Sequence, residues 1–264
     1  MSAMLLGAWQ YRYFIFSSIR TEFTTKFVRS RLGGAWMVLH PLVQVGIFAF
    51  ILSAILSSKI PGIDSRYAYP IYLMSGILAW SLFTEVVTRC LTLFIDNGNL
   101  LKKLVFPKIT LPLIVAGGAL FNNFLLFLAI IVIFGVLGNL PGAALAWMPL
   151  LVAVNIALAL GIGLICGVLN VFLRDIGQIV PVVLQLLFWF TPIVYMANII
   201  PPEYGAWLPL NPLTHIVTAY HDVLLYNRSP DWQQLGIIGG IALFLLALSL
   251  FMFRKASAEM VDVL

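Results

Sequence analysis

The chain has 264 residues, of which 62% are hydrophobic and 9% are charged, and its formal net charge is +5. A soluble domain is closer to half apolar and a quarter charged, so this composition excludes an ordinary soluble protein and predicts an all-α integral membrane protein. The basic excess does not require nucleic acid, because Lys and Arg gather on the cytoplasmic side of membrane proteins. Cys90 and Cys166 both lie in apolar stretches and are predicted to be small buried residues, not a disulfide or metal ligands.

The first predicted element is an N-terminal amphipathic helix over residues 8–32, which mixes aromatic and basic side chains. This composition is typical of a helix that lies in the membrane interface, and a basic flank of the first span is the alternative. The charged residues assigned to this helix are Arg12, Arg20, Glu22, Lys26, Arg29 and Arg31.

Six segments are apolar over about the 20 residues that a spanning helix needs. Pro181 and Pro192 predict kinks in the fifth of them. One transmembrane domain therefore accounts for the whole chain, with a basic loop at 97–108 and a connection at 197–233 that we expect to form short re-entrant helices. The six segments are residues 36–57, 70–95, 111–137, 147–172, 176–196 and 235–253.

The orientation of the chain follows from the Lys and Arg residues between these segments. With a cytoplasmic N-terminus, eleven of them fall on the inner side and three, Lys59, Arg66 and Arg228, on the outer side. Basic residues favour the cytoplasmic side, so this asymmetry predicts a multi-pass protein with both termini in the cytoplasm.

Charge and aromatic rings inside the predicted spans are candidates for a transport pathway. Glu85 and Arg89 lie four residues apart on one face of the second span, either facing a polar pathway or forming a self-satisfied ion pair. The lack of unpaired carboxylates or histidines at mid-membrane disfavours an ion-driven carrier. Aromatic rings pack well on the apolar faces of sugars, while interfacial belts are their ordinary role. The rings considered for a glycan pathway are Trp80, Phe83, Phe188, Trp189 and Tyr195.

The sequence contains no motif for nucleotide hydrolysis, since GxxxxGK[ST] is absent, as are HExxH, GxSxG and Cys-x-x-Cys. His40, His215 and His221 are scattered and are predicted to have local structural roles. An enzyme acting on a lipid-linked sugar stays open as an alternative, and so does a passive channel. The residues that such an enzyme would use are thinly spaced: Glu203, His215, His221, Asp222, Arg228 and Asp231.

Several short motifs, in this order and spacing, resemble the ABC-2 type polysaccharide export permeases. RSRLGGAW leads into the first span and LHPL lies at the start of that span, NLLKKLVFPK follows the second, and NVFLRDI joins the fourth and fifth. TPIVY ends the fifth span and LNPL lies in the outer connection, with Thr191 where the family often has serine. The motifs extend from about residue 29 to residue 213, and the six-span layout covers essentially the whole chain.

The resemblance implies a homodimer in the bacterial inner membrane, paired with two copies of a cytoplasmic ATPase that binds ATP and Mg²⁺. It implies a channel between the protomers for a glycan on undecaprenyl diphosphate, most simply O-antigen, with capsule, teichoic acid or small lipophiles as alternatives. The chain itself would bind no cofactor and hold no catalytic residue. The residues implied to couple it to the ATPase are Lys102, Lys103, Val105, Phe106, Pro107, Lys108, Arg174 and Asp175.

Overall fold

The computed structural model describes residues 9–28, 35–36, 39, 42–43, 46–47, 68–103, 107–197, 200, 202–205, 207–256 and 259–260. All regular elements in these ranges are helices, which confirms the predicted all-α class. The helices are α1 (Arg12–Val28), α2 (Ala68–Asp96), α3 (Gly98–Lys103), α4 (Thr110–Val136), α5 (Met148–Phe172), α6 (Ile176–Phe190), α7 (Pro202–Gly205), α8 (Pro212–Leu224) and α9 (Trp232–Ala256), with 3-10 turns at Ala143–Trp147 and Leu208–Leu210.

Four of the described helices are long and apolar enough to cross a membrane: α2, α4, α5 with its preceding 3-10 turn, and α9. They coincide with the second, third, fourth and sixth predicted spans. The predicted first span, 36–57, lies largely outside the described residues. The predicted interfacial segment contains α1, so its helical character is confirmed over Arg12–Val28, and the short helices expected within 197–233 are α7 and α8.

The prediction for the fifth span was wrong in its length. Helix α6 ends at Phe190, and Thr191 is extended with φ −105° and ψ 134°. Pro192 removes a backbone donor and disfavours helical geometry at the preceding residue, so it ends the helix where a kink was expected. Asn211 fixes this end, because its side chain donates to Thr191 Oγ1 over 2.9 Å and accepts from Leu213 N at the start of α8. Pro181 lies inside α6.

The segment 97–108 was also predicted as a loop, and its first part is helical. Asn97 follows α2, and its carbonyl accepts from Leu100 N at 3.0 Å and Leu101 N at 2.9 Å, which begins the short helix α3. Leu and Lys are good helix formers, so the run of four at 100–103 continues that turn.

Helix α2 is the centre of the bundle. Its most apolar window is 72% buried, against 28% for α4 and 22% for α9, and it packs against α4, α5, α6 and α8. Two glycines of α5 allow the closest approach: a Cβ on Gly163 would lie 2.9 Å from Cys90 Cβ, and one on Gly167 would overlap the Cys90 carbonyl. Small residues spaced four apart are a common means of helix association in membranes.

Three buried asparagines also bind α2 to its neighbours. Their amide nitrogens donate to backbone carbonyls of α2 over 2.8–2.9 Å. Hydrogen bonds of this kind between spanning helices contribute about 0.6 kcal/mol each on average. They therefore help to determine which helices pack together as much as they stabilise the packing. The pairs are Asn123 with Leu78, Asn155 with Ala79 and Asn170 with Leu91.

Hydrogen bonds between uncharged groups hold one end of the bundle together. We call the residues that form them the Tyr72 clasp, which comprises Tyr69, Tyr72, His221 and residues 192–195. Tyr72 Oη donates to the carbonyls of Pro192 (2.7 Å) and Tyr195 (2.9 Å), and Tyr69 Oη donates to that of Val194 (2.7 Å). The His221 ring stacks on Tyr72 at 3.7 Å and bonds the Tyr72 carbonyl through Nε2 at 3.1 Å.

The structural role predicted for the histidines is confirmed at two positions. His221 is buried in the clasp, where burial lowers its pKa to about 3. His215 Nδ1 lies 2.7 Å from Gln234 Oε1, and its Nε2 lies 2.9 Å from the Pro209 carbonyl. His40 lies outside the described residues.

Candidate functional site

Arg89 joins three helices at the opposite end of α2 from the clasp. Its Nη2 lies 2.6 Å from Glu22 Oε2 in α1, and its Nη1 lies 3.3 Å from Glu85 Oε1 one turn earlier in α2. Asn122 of α4 donates to the same Glu85 oxygen. We call these four residues the Arg89 network. Their charged side chains are 22–27% exposed, so the network is partly buried.

Two adjacent glycines in α4 make room for this network. A Cβ on Gly118 would lie 2.7 Å from Arg89 Nη1 and 3.2 Å from Glu22 Oε2, and one on Gly117 would overlap the Ile19 side chain. Helix α1 meets this notch with the face formed by Ile15, Ser18, Ile19 and Glu22, which recur at the spacing of one helix face and are less exposed than their neighbours.

The network bears on the two alternatives for Glu85 and Arg89, and their place on a polar pathway stays a prediction. They do form an ion pair, but the shorter bond of Arg89 is to Glu22, which is 67 residues away in the sequence. Sequence reasoning could not pair these residues, because nothing local relates them. One signal was available: Glu22 is the only acidic residue among residues 8–32, in a segment that is otherwise basic.

The other charges assigned to α1 lie in different surroundings. Arg12 stacks between two rings, with its guanidinium 5.1 Å from the Trp9 centroid and 4.7 Å from that of Tyr13. Arg20 is exposed. Lys26 lies within the helix, and Arg29 and Arg31 lie outside the described residues.

A polar stripe follows the less buried face of α2 and was missed from the sequence. Ser81, Thr84, Glu85 and Thr88 recur at i, i+3, i+4 and i+7, which places them on one face. The hydroxyls of Thr84 and Thr88 donate to the helix carbonyls four residues before them, at 2.8 and 2.6 Å. This spacing was the signal that could have identified the stripe.

The predicted aromatic residues lie in three different surroundings. Trp80 of α2 contacts Phe188 of α6 edge-on at 5.5 Å, and Phe188 contacts Trp189 at the same distance. Phe83 is only 1% exposed and packs in the core, so its position does not support contact with a substrate. Tyr195 lies beyond the end of α6, where its hydroxyl donates to the Trp189 carbonyl over 2.8 Å.

Helix α6 presents an unusual surface for a helix of its composition. Leu184 is the one buried residue of this helix. Along one face the helix exposes Gln178, Val182, Gln185 and Trp189, the last of which is 53% exposed. In contrast, the exposed residues of α4 are apolar from Leu113 to Val136. Polar side chains within a membrane face protein or water, so this face of α6 needs a neighbour other than lipid.

Those of the implied coupling residues that the structure describes lie at the same end of the bundle as the Arg89 network. The hydrogen bond between Asn170 and Leu91 brings the end of α5 beside the end of α2. Stacking of Phe94 on Phe253 at 5.1 Å brings the end of α9 there as well, with Arg254 and Lys255.

Most of these coupling residues can be placed individually. Lys102 is exposed at the end of α3, while Pro107 and Lys108 are partly buried just before α4. Arg174 and Asp175 are exposed in the turn that joins α5 to α6. Lys103 lies in α3, and Val105 and Phe106 lie outside the described residues.

The chain is similar to several transport permeases over nearly its whole length. It is 28% identical over 247 residues to the O-antigen export system permease protein RfbA of Klebsiella pneumoniae, covering 92% of each chain. It is 28% identical over 260 residues to the protein of the same name from Myxococcus xanthus, covering 97% of each. The polysialic acid transport protein KpsM of Escherichia coli is 22% identical over 249 residues, covering 90% of this chain and 92% of KpsM.

A family model supports the same assignment. The model described as ABC-2 type transporter matches residues 13–225, which contain α1 from its second residue, the Arg89 network and every later described element up to the end of α8. Together with the four membrane-length helices, this match shows that the chain is an integral membrane protein and belongs to the ABC-2 type transporter family.

Proposed function

We propose that this chain is the membrane-spanning subunit of an ATP-driven exporter that moves a lipid-linked polysaccharide, O-antigen on undecaprenyl diphosphate, across the bacterial inner membrane. The observation that carries the proposal is similarity to O-antigen export permeases over 92–97% of the chain. Export of a capsular polysaccharide is the second candidate, and the similarity to KpsM favours it over export of teichoic acid or of a small lipophile.

ATP hydrolysis is assigned to a separate cytoplasmic subunit, present in two copies, that binds ATP and Mg²⁺. The end of the bundle that carries the Arg89 network is the proposed docking end. It presents exposed basic residues in three different segments, which suits the electrostatic docking of a partner protein. These residues are Lys102, Arg174, Arg254 and Lys255.

The distribution of charge also supports a cytoplasmic location for this end and for both termini. Arg228 follows Asn227 in the segment after α8. His221 of α8 lies beside the start of α2, and Asn227 lies beside the start of α2 and the residues just after α4, so Arg228 belongs to the opposite end. Basic residues concentrate on the cytoplasmic side of membrane proteins. We therefore place the Arg89 network inside and the Tyr72 clasp outside.

The pathway is proposed to form between two protomers, with α6 facing its counterpart. Gln178 and Gln185 would otherwise face lipid, where an unpaired amide costs several kcal/mol. Between protomers these amides can bond to sugar hydroxyls or to water. The aromatic surface of this pathway would come from Trp80, Phe188 and Trp189, which lie on the same side as these amides. The partly exposed Tyr195 lies just beyond the end of α6. Phe83 is buried and therefore does not line the pathway.

The proposal is tested by deleting the gene in its bacterium and restoring it on a plasmid. We expect surface O-antigen to disappear and lipid-linked glycan to accumulate inside the cell, with both effects reversed by the restored gene. Loss of capsule with normal O-antigen would select the second candidate. Unchanged surface glycan combined with drug sensitivity would contradict both.

The assignment of coupling residues has a separate test. We expect Phe106→Asp to leave the permease in the membrane and to abolish both glycan export and transport-coupled ATP hydrolysis. Normal surface glycan in this variant would contradict a coupling role for the segment 102–108.

A further inference from the structure

We propose that Arg89 is a positioning residue that fixes α1 to α2 and α4, so that the three helices move as one body when the ATPase acts. This inference rests on the proposed function, since it needs an ATPase to supply the motion. The step concerned is the transmission of motion from the docking end of the permease to its pathway. The residues that receive a role lie outside the coupling segment 97–108.

The bonding of Arg89 is the first argument. One guanidinium bonds carboxylates on two different helices, at 2.6 Å and 3.3 Å, and a third helix joins through Asn122. Charge-assisted bonds from the planar guanidinium fork are stronger and more directional than neutral ones. Separating α1 from α2 would leave Glu22 and Arg89 partly buried without each other.

The shape of α4 at this point is the second argument. Gly117 and Gly118 form a notch that Ile19, Glu22 and Arg89 fill, and a methyl group at either glycine would collide with them. The fit is therefore steric as well as electrostatic. A helix that lay in the membrane interface without packing on the bundle would need neither this notch nor an ion pair.

The contacts of Arg89 argue against an anion site at the same place. Its guanidinium bonds the carboxylates of Glu22 and Glu85. A diphosphate headgroup at this place would have to compete with those carboxylates for the guanidinium. Positioning α1 is the role that fits all four side chains.

The location is the last argument. Helix α1 begins the family match, and the Arg89 network lies at the end of the bundle that presents Lys102 and Arg174. A push on this end reaches the polar stripe of α2 through the same helix that carries Glu85 and Arg89. Because the Arg89 network fixes α1 to α2, a movement of one of these helices is passed directly to the other.

The first test measures coupling in the permease purified with its ATPase. We compare ATP hydrolysis with and without lipid-linked glycan extracted from the same bacterium. We expect Arg89→Gln to retain membrane level and basal hydrolysis and to lose glycan stimulation by about tenfold, with partial recovery in Arg89→Lys. Unchanged stimulation in Arg89→Gln would overturn the inference, as would parallel loss of level and basal hydrolysis.

A glycine pair supplies a matched control that alters no charge. Gly118→Ala places a methyl group against Arg89, whereas Gly236→Ala on α9 has no atom within 4 Å of the new methyl group. We expect only Gly118→Ala to reduce glycan stimulation. Equal effects from the two variants would overturn the inference.

A disulfide distinguishes a fixed joint from one that must open. Ile19→Cys with Gly117→Cys, in a background with Cys90→Ala and Cys166→Ala, places two thiols at the notch. We expect oxidation to link α1 to α4 while export continues. Arrest of export on oxidation, reversed by reduction, would overturn the inference, and so would failure of the link to form.

Wild-type controls separate this inference from the proposed function. If the wild-type complex neither hydrolyses ATP nor responds to glycan, the proposed function fails. If the wild type responds and the Arg89 and Gly118 variants respond equally, only the inference fails.

Discussion

The two ends of α2 are held in contrasting ways. At the Tyr72 clasp, neutral side chains that are almost fully buried bond to backbone carbonyls of a nonhelical segment. At the Arg89 network, charged side chains that are about a quarter exposed bond to one another across three helices. The first arrangement depends on burial, and the second depends on charge that water still reaches.

This difference suggests different roles for the two ends: the clasp in the stability of the protein and the network in its coupling to the ATPase. A buried neutral bond is expensive to break, because its partner is left without a hydrogen bond and without water. A partly exposed ion pair contributes little to stability but fixes direction, since the guanidinium fork accepts carboxylates in few geometries. We therefore expect variants of the clasp to lower stability and variants of the network to lower coupling.

The largest loss of stability is expected from His221→Ala. The change removes a buried ring that stacks on Tyr72 and donates to its carbonyl, at a cost of about 2–4 kcal/mol in unfolding free energy. The measurement is thermal unfolding of the detergent-purified protein. His215→Ala is the matched control, because that ring is only partly buried, and an equal loss in the control would contradict a special role for the clasp.

Acid should weaken the clasp by a similar route. The folded-state pKa of His221 is about 3, below the ordinary value of about 6.5, so the unfolded chain takes up a proton first as the pH falls. Stability contributed by the neutral ring is present above pH 6.5 and is lost below it, by about 2 kcal/mol between pH 7 and pH 5. The unfolding midpoint of the wild type should fall over this range, and that of His221→Ala should fall less.

A smaller loss of stability is expected at the network. Glu22→Gln removes one partner of a partly exposed ion pair and should lower the unfolding free energy by less than about 1 kcal/mol. The same change should reduce glycan-stimulated ATP hydrolysis several-fold, because α1 loses its strongest bond to α2. A loss of stability as large as that of His221→Ala would contradict the division between the two ends.

The smallest change in stability is expected on the exposed face of α6. Gln185 is exposed in the protomer, so Gln185→Leu should shift the free energy of unfolding by about 0.5 kcal/mol or less, whereas glycan export should fall. The control is Leu128→Gln on the exposed face of α4, which should lower the membrane level of the protein. Normal export by Gln185→Leu would contradict the assignment of α6 to the pathway.

How far the sequence could predict this molecule depends on the range of the interactions involved. The bounds of α2, α4 and α9 followed from apolar length, which is a local property. The end of α6 was misplaced because Pro192 was expected to kink a helix that it terminates. The pairing of Glu22 with Arg89 and the bonds of Asn123, Asn155 and Asn170 depend on tertiary packing, so the sequence alone could not reveal them.

The GxxxG spacing at Gly163 and Gly167 and the paired glycines at 117–118 were visible but were not interpreted. Their partners, the Cys90 carbonyl and the Ile19 side chain, become apparent only when the helices are placed together. Small residues in a span indicate a close approach, but they do not say which helix approaches.

The central claim, that this permease exports a lipid-linked glycan with energy from a partner ATPase, is tested most directly in proteoliposomes. The permease and its ATPase are reconstituted together with lipid-linked glycan on the outer, ATP-accessible face, and protection of the glycan from an added glycosidase is followed over time. The account predicts protection only when ATP and both proteins are present. Protection without ATP, or none with all components present, would contradict it.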